Sequence, residues 1–298
     1  MARKRRGTPL HGWLVIDKDP GLTSAQVVAR VRRLTDAAKA GHAGTLDPLA
    51  SGILPVALGE ATKTVSFAQD GAKSYRFTVK WGESRDTDDS QGSVTASSAV
   101  RPTESQILDI LQDFTGEIEQ VPPDYSAIKV AGERAYDLAR EGADLALEPR
   151  KIRIDRLVLD GIVDADHAEF TVECGKGAYV RGLARDFGAR LGCLGHIVRL
   201  RRTRVGPFGE DRAISLAKLE ELCNTSAPPE FLLPVVTVLD DIPALALTGP
   251  QADRLKQGQT VRVLGFPDGI ACAMNAGLPV AITEISAGEV RPVRVFNL

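Results

Sequence analysis

The sequence predicts two domains of mixed strand and helix, a large one followed by a small β-rich one. At 298 residues the chain is long for a single hydrophobic core. Apolar spacing alternates between the strand period of 2 and the helix period of 3.6 with no internal repeat. Beyond Pro228-Pro229 only short β segments remain, separated by Gly and Pro.

The elements follow in order. Gly12-Trp13-Leu14-Val15-Ile16-Asp17 reads as a buried strand, and Pro20-Gly21 turns it into a helix opened by Thr23 or Ser24. Val27, Val31 and Leu34 give that helix one apolar face, with Arg30 and Arg33 on another. Tyr75, Phe77, Val79 and Trp81 alternate with Arg76, Thr78 and Lys80, the pattern of a strand with one aromatic face. An acidic, turn-rich stretch, Glu83 to Gly92, comes next, and Ile107, Leu111 and Phe114 mark a helix ending near Gly116. The segment from about Asp124 to Arg150 is charged and Gly-punctuated, as expected of a mobile insertion able to act as a lid. Ala168, Phe170, Val172 and Cys174 form a strand, and Gly175-Lys176-Gly177 leads into a helix that starts near Tyr179 and stops at Gly192. His196 to Val205 reads as a strand carrying four arginines. In the tail, Val261–Leu264, Ile270–Met274, Val280–Ile285 and Val290–Phe296 are short strands.

Composition excludes several classes. Hydrophobic residues at 43% with 26% charged residues describe a globular chain. No apolar run approaches the 18 residues of a membrane span, and the basic start Arg3-Lys4-Arg5-Arg6 runs into Gly7-Thr8-Pro9 where a secretory signal needs an apolar core. A cytoplasmic location is expected. Cys174, Cys193, Cys223 and Cys272 are widely spaced, which points to reduced thiols and not to a zinc site or disulfide frame. The net charge of −2 hides two basic blocks, residues 1–33 at +6 and 176–204 at +7, offset by −8 over residues 83–124. Because screening acts within about 10 Å, such blocks can hold a polyanion despite the total.

The densest chemical signal is Gly41 to Gly52, G-H-A-G-T-L-D-P-L-A-S-G. Its glycines permit positive φ and close approach, and Pro48 fixes the backbone directly after Asp47. Such a turn presents a nucleophile or general base rigidly; an Asx-turn that merely caps the next segment is the alternative. Gly59-Glu60-Ala61-Thr62-Lys63 lacks phosphate-loop spacing, and no metal-ligand cluster or cofactor motif is present, so no cofactor is expected.

These segments resemble one family in its own order. G-W-L-V-I-D-K-D-P-G-L-T-S, G-H-A-G-T-L-D-P-L-A-S-G, K-S-Y-R-F, V-P-P-D-Y-S-A-I-K, G-K-G-A-Y-V-R-G-L-A-R-D-F-G and V-R-L-R-R-T, spread over about the first 210 residues, resemble the TruB family of bacterial tRNA pseudouridine-55 synthases. The resemblance implies an α+β pseudouridine synthase fold: a mixed, largely antiparallel central sheet with flanking helices, and a small C-terminal PUA-like RNA-binding domain. The implied layout is a basic tail at 1–10, a catalytic domain at 11–235 with a thumb-like insertion near 124–150, and the small domain at 240–298.

The implied reaction turns uridine 55 of the tRNA T loop into pseudouridine, with the base flipped into a cleft. Asp47 matches the family's catalytic aspartate, Arg181 its arginine partner, and Tyr75 the active-site tyrosine that stacks on uracil. His42 matches the histidine that contacts the disrupted loop, and Tyr179 and Leu200 match substrate-pocket positions, core packing being the alternative for Leu200. Lys18, Arg199, Arg201, Arg202 and Arg204 are assigned to substrate and phosphate contacts, which orient RNA without reading sequence. The T arm of tRNA is then the partner of a stand-alone monomer needing no guide RNA or protein. Two other classes compete. A tRNA-folding chaperone would not need an Asp47–Arg181 pair, and a retaining glycosidase wants two carboxylates about 5–5.5 Å apart where this motif holds one.

Overall fold

The computed structural model describes residues 7–126, 128–130, 133–140, 142–143, 145–225 and 228–298. Arg3, Lys4, Arg5 and Arg6 of the expected basic tail, and residues 127, 131–132, 141 and 144 of the expected insertion, lie outside them.

Strand β1 (Gly12–Lys18) turns into α1 (Ser24–Thr35), and β2 (Ala40–His42) and β3 (Ser51–Leu58) flank the Asp47 loop. Helix α2 (Val65–Asp70) precedes β4 (Lys73–Trp81), the hairpin β5 (Glu83–Arg85) and β6 (Val94–Ser97), α3 (Glu104–Ile110) and β7 (Gly116–Gln120). The segment expected to be an insertion holds β8 (Lys129–Val130), β9 (Glu133–Arg134) and α4 (Ala135–Arg140). Then come β10 (Arg150–Asp164), β11 (His167–Cys174), α5 (Val180–Leu191), β12 (Gly195–Val205), β13 (Phe208–Gly209) and α6 (Leu216–Thr225).

The central sheet runs β1-β3-β12-β4-β11-β10-β7, with β2 and β13 attached. It is the mixed, largely antiparallel sheet expected: only β3 and β12 pair in parallel, through Arg201 with Ser51 and Arg202 with Gly52. Pro55 sits inside β3 because its partner Val15 lies on one edge only; Ala43 approaches the other side by donating to the Pro55 carbonyl, which needs no proline N–H.

Period-2 alternation divides the sheet into two buried faces. Leu14 and Ile16 of β1, Phe77, Val79 and Trp81 of β4 and Leu200 of β12 join α1, α3 and α5 in the main core. The aromatic face expected of β4 is its centre: Phe77 lies 5.3 Å from Phe170 and 6.5 Å from Phe187, ring to ring. Each such pair adds about 0.5–1.5 kcal/mol beyond its buried area. Trp13 and Val15 point to the opposite face, where they pack with Ile53, Val205 and Phe208.

Local signals act as expected at the helices. Thr23, not Ser24, caps α1, in a reciprocal box with Gln26. Gly192, at φ 68°, closes α5. The sequence reading passed over β3 and β10. Bulges between Ile154 and Arg156 and between Leu159 and Gly161 shift the phase of β10, so its apolar residues do not keep a single period-2 register.

The C-terminal unit comprises β14 (Ala244–Ala246), α7 (Gly249–Lys256), β15 (Val261–Arg262), β16 (Gly269–Asn275), β17 (Leu278–Ser286) and β18 (Glu289–Val295). Its sheet runs β14-β16-β17-β18-β15 around a core of its own that includes Leu255 of α7, a helix the β-only reading lacked. Cys272, Ile282 and Phe296 join the second face of the large sheet, and Lys63 donates to the Val295 carbonyl at 2.7 Å, so the two units share buried surface.

Candidate active site

The loop between β2 and β3 is held at every carbonyl from Gly44 to Pro48. Arg202 donates to Gly44 O at 3.1 Å and Thr45 O at 3.3 Å. Ser24 Oγ donates to Leu46 O at 3.0 Å and accepts from Leu46 N at 2.8 Å. The Asp47 carbonyl accepts from Ala50 N, and the Pro48 carbonyl from Gly21 N at 2.7 Å and Lys18 Nζ at 3.3 Å. Glycine is required at its end: Gly52 has φ 99°, and a Cβ there would lie 2.1 Å from the Arg202 carbonyl oxygen.

The clamped backbone leaves the Asp47 carboxylate, with 36% of its side chain exposed, beside α5. Arg181 Nε donates to Asp47 Oδ2 at 2.8 Å. The same guanidinium, only 4% exposed, donates to the carbonyls of Thr87 and Tyr125, each at 2.8 Å. All its faces are engaged, so it cannot swing away without leaving buried acceptors unpaired. Asp89 Oδ2 stands 3.9 Å from Arg181 Nε, while Asp89 Oδ1 accepts from Thr87 Oγ1 and Gln91 N. One turn along α5, Arg185 pairs with Asp88 at 3.1 Å and donates to the Val121 carbonyl. Burial pushes Asp88 up to about 6, against the opposing charges of Arg185 and Arg181.

Tyr75 lies on β4 directly opposite Arg202 of β12 and packs against the main core. Burial raises its phenol above the usual value, against the nearby Arg202 charge, so it stays protonated at neutral pH. His42, half-buried at the end of β2, is pushed down by burial first and by Arg202 second, which keeps its imidazole neutral. Tyr179 caps α5, and the buried amide of Gln120 grips it twice, accepting from Tyr179 N at 2.9 Å and donating to Tyr179 O at 3.1 Å. Leu200 belongs to the main core and is 7% exposed.

The basic residues require corrections. Lys18 shows no exposed surface, and its ammonium donates to the carbonyls of Asp19, Leu22 and Pro48, so it supports the loop from below and is closed to a phosphate. Arg202 is 2% exposed and is likewise turned inward. Arg201 faces the other side of the sheet, paired with Asp17 at 2.9 Å and Glu210 at 2.7 Å. Arg204 meets Ser74 and Glu173 on that side, and Arg199, exposed, is registered with Thr78 there. In a strand, neighbours alternate faces, so these three arginines point away from Asp47.

Among the described residues no cluster of three His, Cys, Asp or Glu side chains could hold a metal ion, and no helix is long and apolar enough to cross a membrane.

Residues 32–180 match the N-terminal domain of TruB family pseudouridylate synthases, and residues 181–240 the C-terminal domain of tRNA pseudouridylate synthase B. A tRNA pseudouridine synthase B of Bradyrhizobium diazoefficiens is 56% identical, covering 100% of this chain and 88% of its own. One from Caulobacter sp. (strain K31) is 52% identical over 100% of both chains. The chain belongs to the TruB family. It is an enzyme of the pseudouridine synthase class, an isomerase. A solved Cbf5-Nop10-Gar1 complex contains a chain with a TM-score of 0.73 at 25% identity, covering 96% of this chain and 84% of that one. A chain in an H/ACA RNP bound to a substrate RNA shares the fold at a TM-score of 0.75 and 23% identity, covering 100% of this chain and 92% of that one.

Of the candidates the sequence names, Asp47 and Arg181 are brought into contact, and Tyr75, Tyr179 and His42 remain candidates; the groups that hold them carry no sequence signal. Ser24, Gln120 and Asp89 act on residues 22, 59 and, for Asp89 to Arg181, about 90 positions distant, where no local motif connects them. The carbonyls of Thr87 and Tyr125 have no side-chain signal at all.

Proposed function

We propose that this chain converts uridine 55 in the tRNA T loop to pseudouridine, with Asp47 as the nucleophile. The observation that carries the reading is the pair itself: a partly exposed Asp47 carboxylate, on a loop tied at five consecutive carbonyls, 2.8 Å from a buried guanidinium.

The isomerisation breaks the C1′–N1 bond and forms C1′–C5; C5 gives up its proton and N1 gains one. Atoms and electrons balance within one nucleotide, so no redox partner enters. A uracil inside a folded loop is out of reach, and extruding it costs a few kcal/mol of stacking. Tyr75 offers a ring for the flipped base and a hydroxyl that remains a donor. His42, neutral, can stack on the opened loop and hydrogen-bond it without a charge to desolvate. Arg181 balances the charge of Asp47 and fixes its rotamer, so the attacking oxygen is oriented before substrate arrives. The C-terminal unit, with its five-stranded sheet, serves as a PUA-like RNA-binding module, and the enzyme works alone on the T arm in the cytoplasm.

The test is T-arm RNA incubated with the protein, with pseudouridine mapped by carbodiimide-dependent primer stops. Asp47→Asn is expected to abolish product while retaining RNA affinity, and unaltered turnover in that variant would remove Asp47 from the chemistry.

A further inference from the structure

Arg202 occupies the centre of the sheet, beside Gly52 of β3 and opposite Tyr75 of β4. Its guanidinium is 2% exposed and spans both ends of the Asp47 loop, with Nε to Ile53 O at 2.8 Å and the two Nη atoms to Thr45 O and Gly44 O. Among the described residues no carboxylate pairs with it, so a buried cation rests on neutral partners, these carbonyl dipoles and the Tyr75 hydroxyl. Burying a charge without a counter-charge is expensive, and a well-packed apolar residue would fill the same space at less cost. The guanidinium spreads its donors over three nitrogens, so Nε reaches Ile53 O at one end of the loop while the two Nη atoms reach Thr45 O and Gly44 O at the other; a lysine has a single nitrogen to place at one end.

We propose that Arg202 is a positioning residue for the isomerisation: it locks both ends of the Asp47 loop to the central sheet and sets a fixed positive charge behind Tyr75 and His42. The geometry gives two consequences. The carbonyls of Gly44 and Thr45 cannot rotate, and the Asp47 carboxylate three residues on inherits that register. The charge also opposes protonation of His42, so the imidazole meets RNA in its neutral form. This inference rests on the proposed reaction, which wild-type turnover and Asp47→Asn test separately.

The experiment uses the full chain with R202M and R202K. Single-turnover pseudouridine formation is measured at saturating T-arm RNA, RNA affinity by filter binding, and His42 by NMR titration in the absence of RNA. R202M is expected to lose at least about 100-fold in single-turnover rate with RNA affinity within about threefold, and R202K to recover part of the loss. The His42 titration should move toward higher pH in R202M and remain low in R202K, which keeps the charge, a readout that needs no turnover; an equal rise in both variants would trace the shift to lost burial and overturn the electrostatic role. A rate within threefold of wild type in R202M, or a fall in rate matched by an equal fall in affinity, overturns the proposal. If R202M does not fold, R202K decides: a reduced rate at wild-type affinity supports the role, and a wild-type rate overturns it.

Discussion

Lys18 gives the sharpest quantitative expectation. Its ammonium is wholly buried, makes hydrogen bonds of 2.8, 3.1 and 3.3 Å to three carbonyls, and lies close enough to Arg202 to be repelled by it. Burial, the largest effect, lowers its pKa from 10.5 to about 8, with Asp47 opposing the shift. Between those values the unfolded chain holds the proton and the folded one does not, so stability rises with pH across that window and is flat below it. At about 1.4 kcal/mol per pKa unit, the drop from 10.5 to about 8 corresponds to about 3 kcal/mol. Other groups titrate in the same range, so the measurement is the difference between wild type and Lys18→Met. Urea unfolding followed by fluorescence of the buried Trp13 and Trp81 at pH 7, 8, 9 and 10 supplies it. Wild-type stability minus that of Lys18→Met should climb by up to about 3 kcal/mol over this range. A flat difference would show that the ammonium is solvated in the folded protein and would refute its role as a buried strut for Pro48.

Three further outcomes are expected. Tyr75→Phe should keep RNA affinity and part of the rate while Tyr75→Leu loses more, since the ring and the hydroxyl contribute separately; equal rates in the two variants, by primer-stop assay, would reduce Tyr75 to core packing. Gly52→Ala should destabilise by more than about 2 kcal/mol in urea melts, because the residue is at φ 99° and its Cβ would lie 2.1 Å from the Arg202 carbonyl. Asp88, raised to about 6 by burial, contributes stability below its unfolded value of 3.8 that is lost as pH rises through 6. Asp88→Asn should therefore gain on wild type by up to about 3 kcal/mol between pH 4 and 7, and a gain that shrinks as pH rises would contradict the assignment.

The parts of the fold written in local chemistry were legible. Thr23 with Gln26, Gly192, and the alternation of Tyr75, Phe77, Val79 and Trp81 each act within a few residues of themselves, and each element formed where its residues indicate. The basic strand β12 was legible only in part. Period 2 already separates Arg199, Arg201 and Arg204 from Arg202 once the bulge between Arg202 and Arg204 is known, but which face meets Asp47 depends on pairing with β3 and β4. Treating the four arginines as one phosphate-binding row ignored that alternation. Lys18 is a similar case: it follows Leu14 and Ile16 at spacing 2 and so points into the main core, although its charge suggested the surface.

The same three cations explain how so glycine-rich a loop can be rigid. Lys18, Arg181 and Arg202 are 0%, 4% and 2% exposed, and all three converge on the segment from Gly44 to Pro48 and its single carboxylate. None has water to fall back on. If the loop shifted, each would lose a carbonyl or carboxylate partner and remain buried, at a cost of about 1–3 kcal/mol for every group left unsatisfied and more for a charge. The glycines therefore supply the conformation, and the cations penalise every other one. That penalty exists only after β1, β3, β12 and α5 have assembled, since Arg181 and Arg202 lie 134 and 158 residues from the Asp47 and Gly44 atoms they hold. A loop built this way has no rigidity of its own, so hydrogen exchange at residues 44–50 should be slow in the intact protein and should quicken in R202M and Lys18→Met together with loss of turnover. Rapid exchange in the wild-type loop would place the rigidity elsewhere and remove the reason for burying three charges beneath one aspartate.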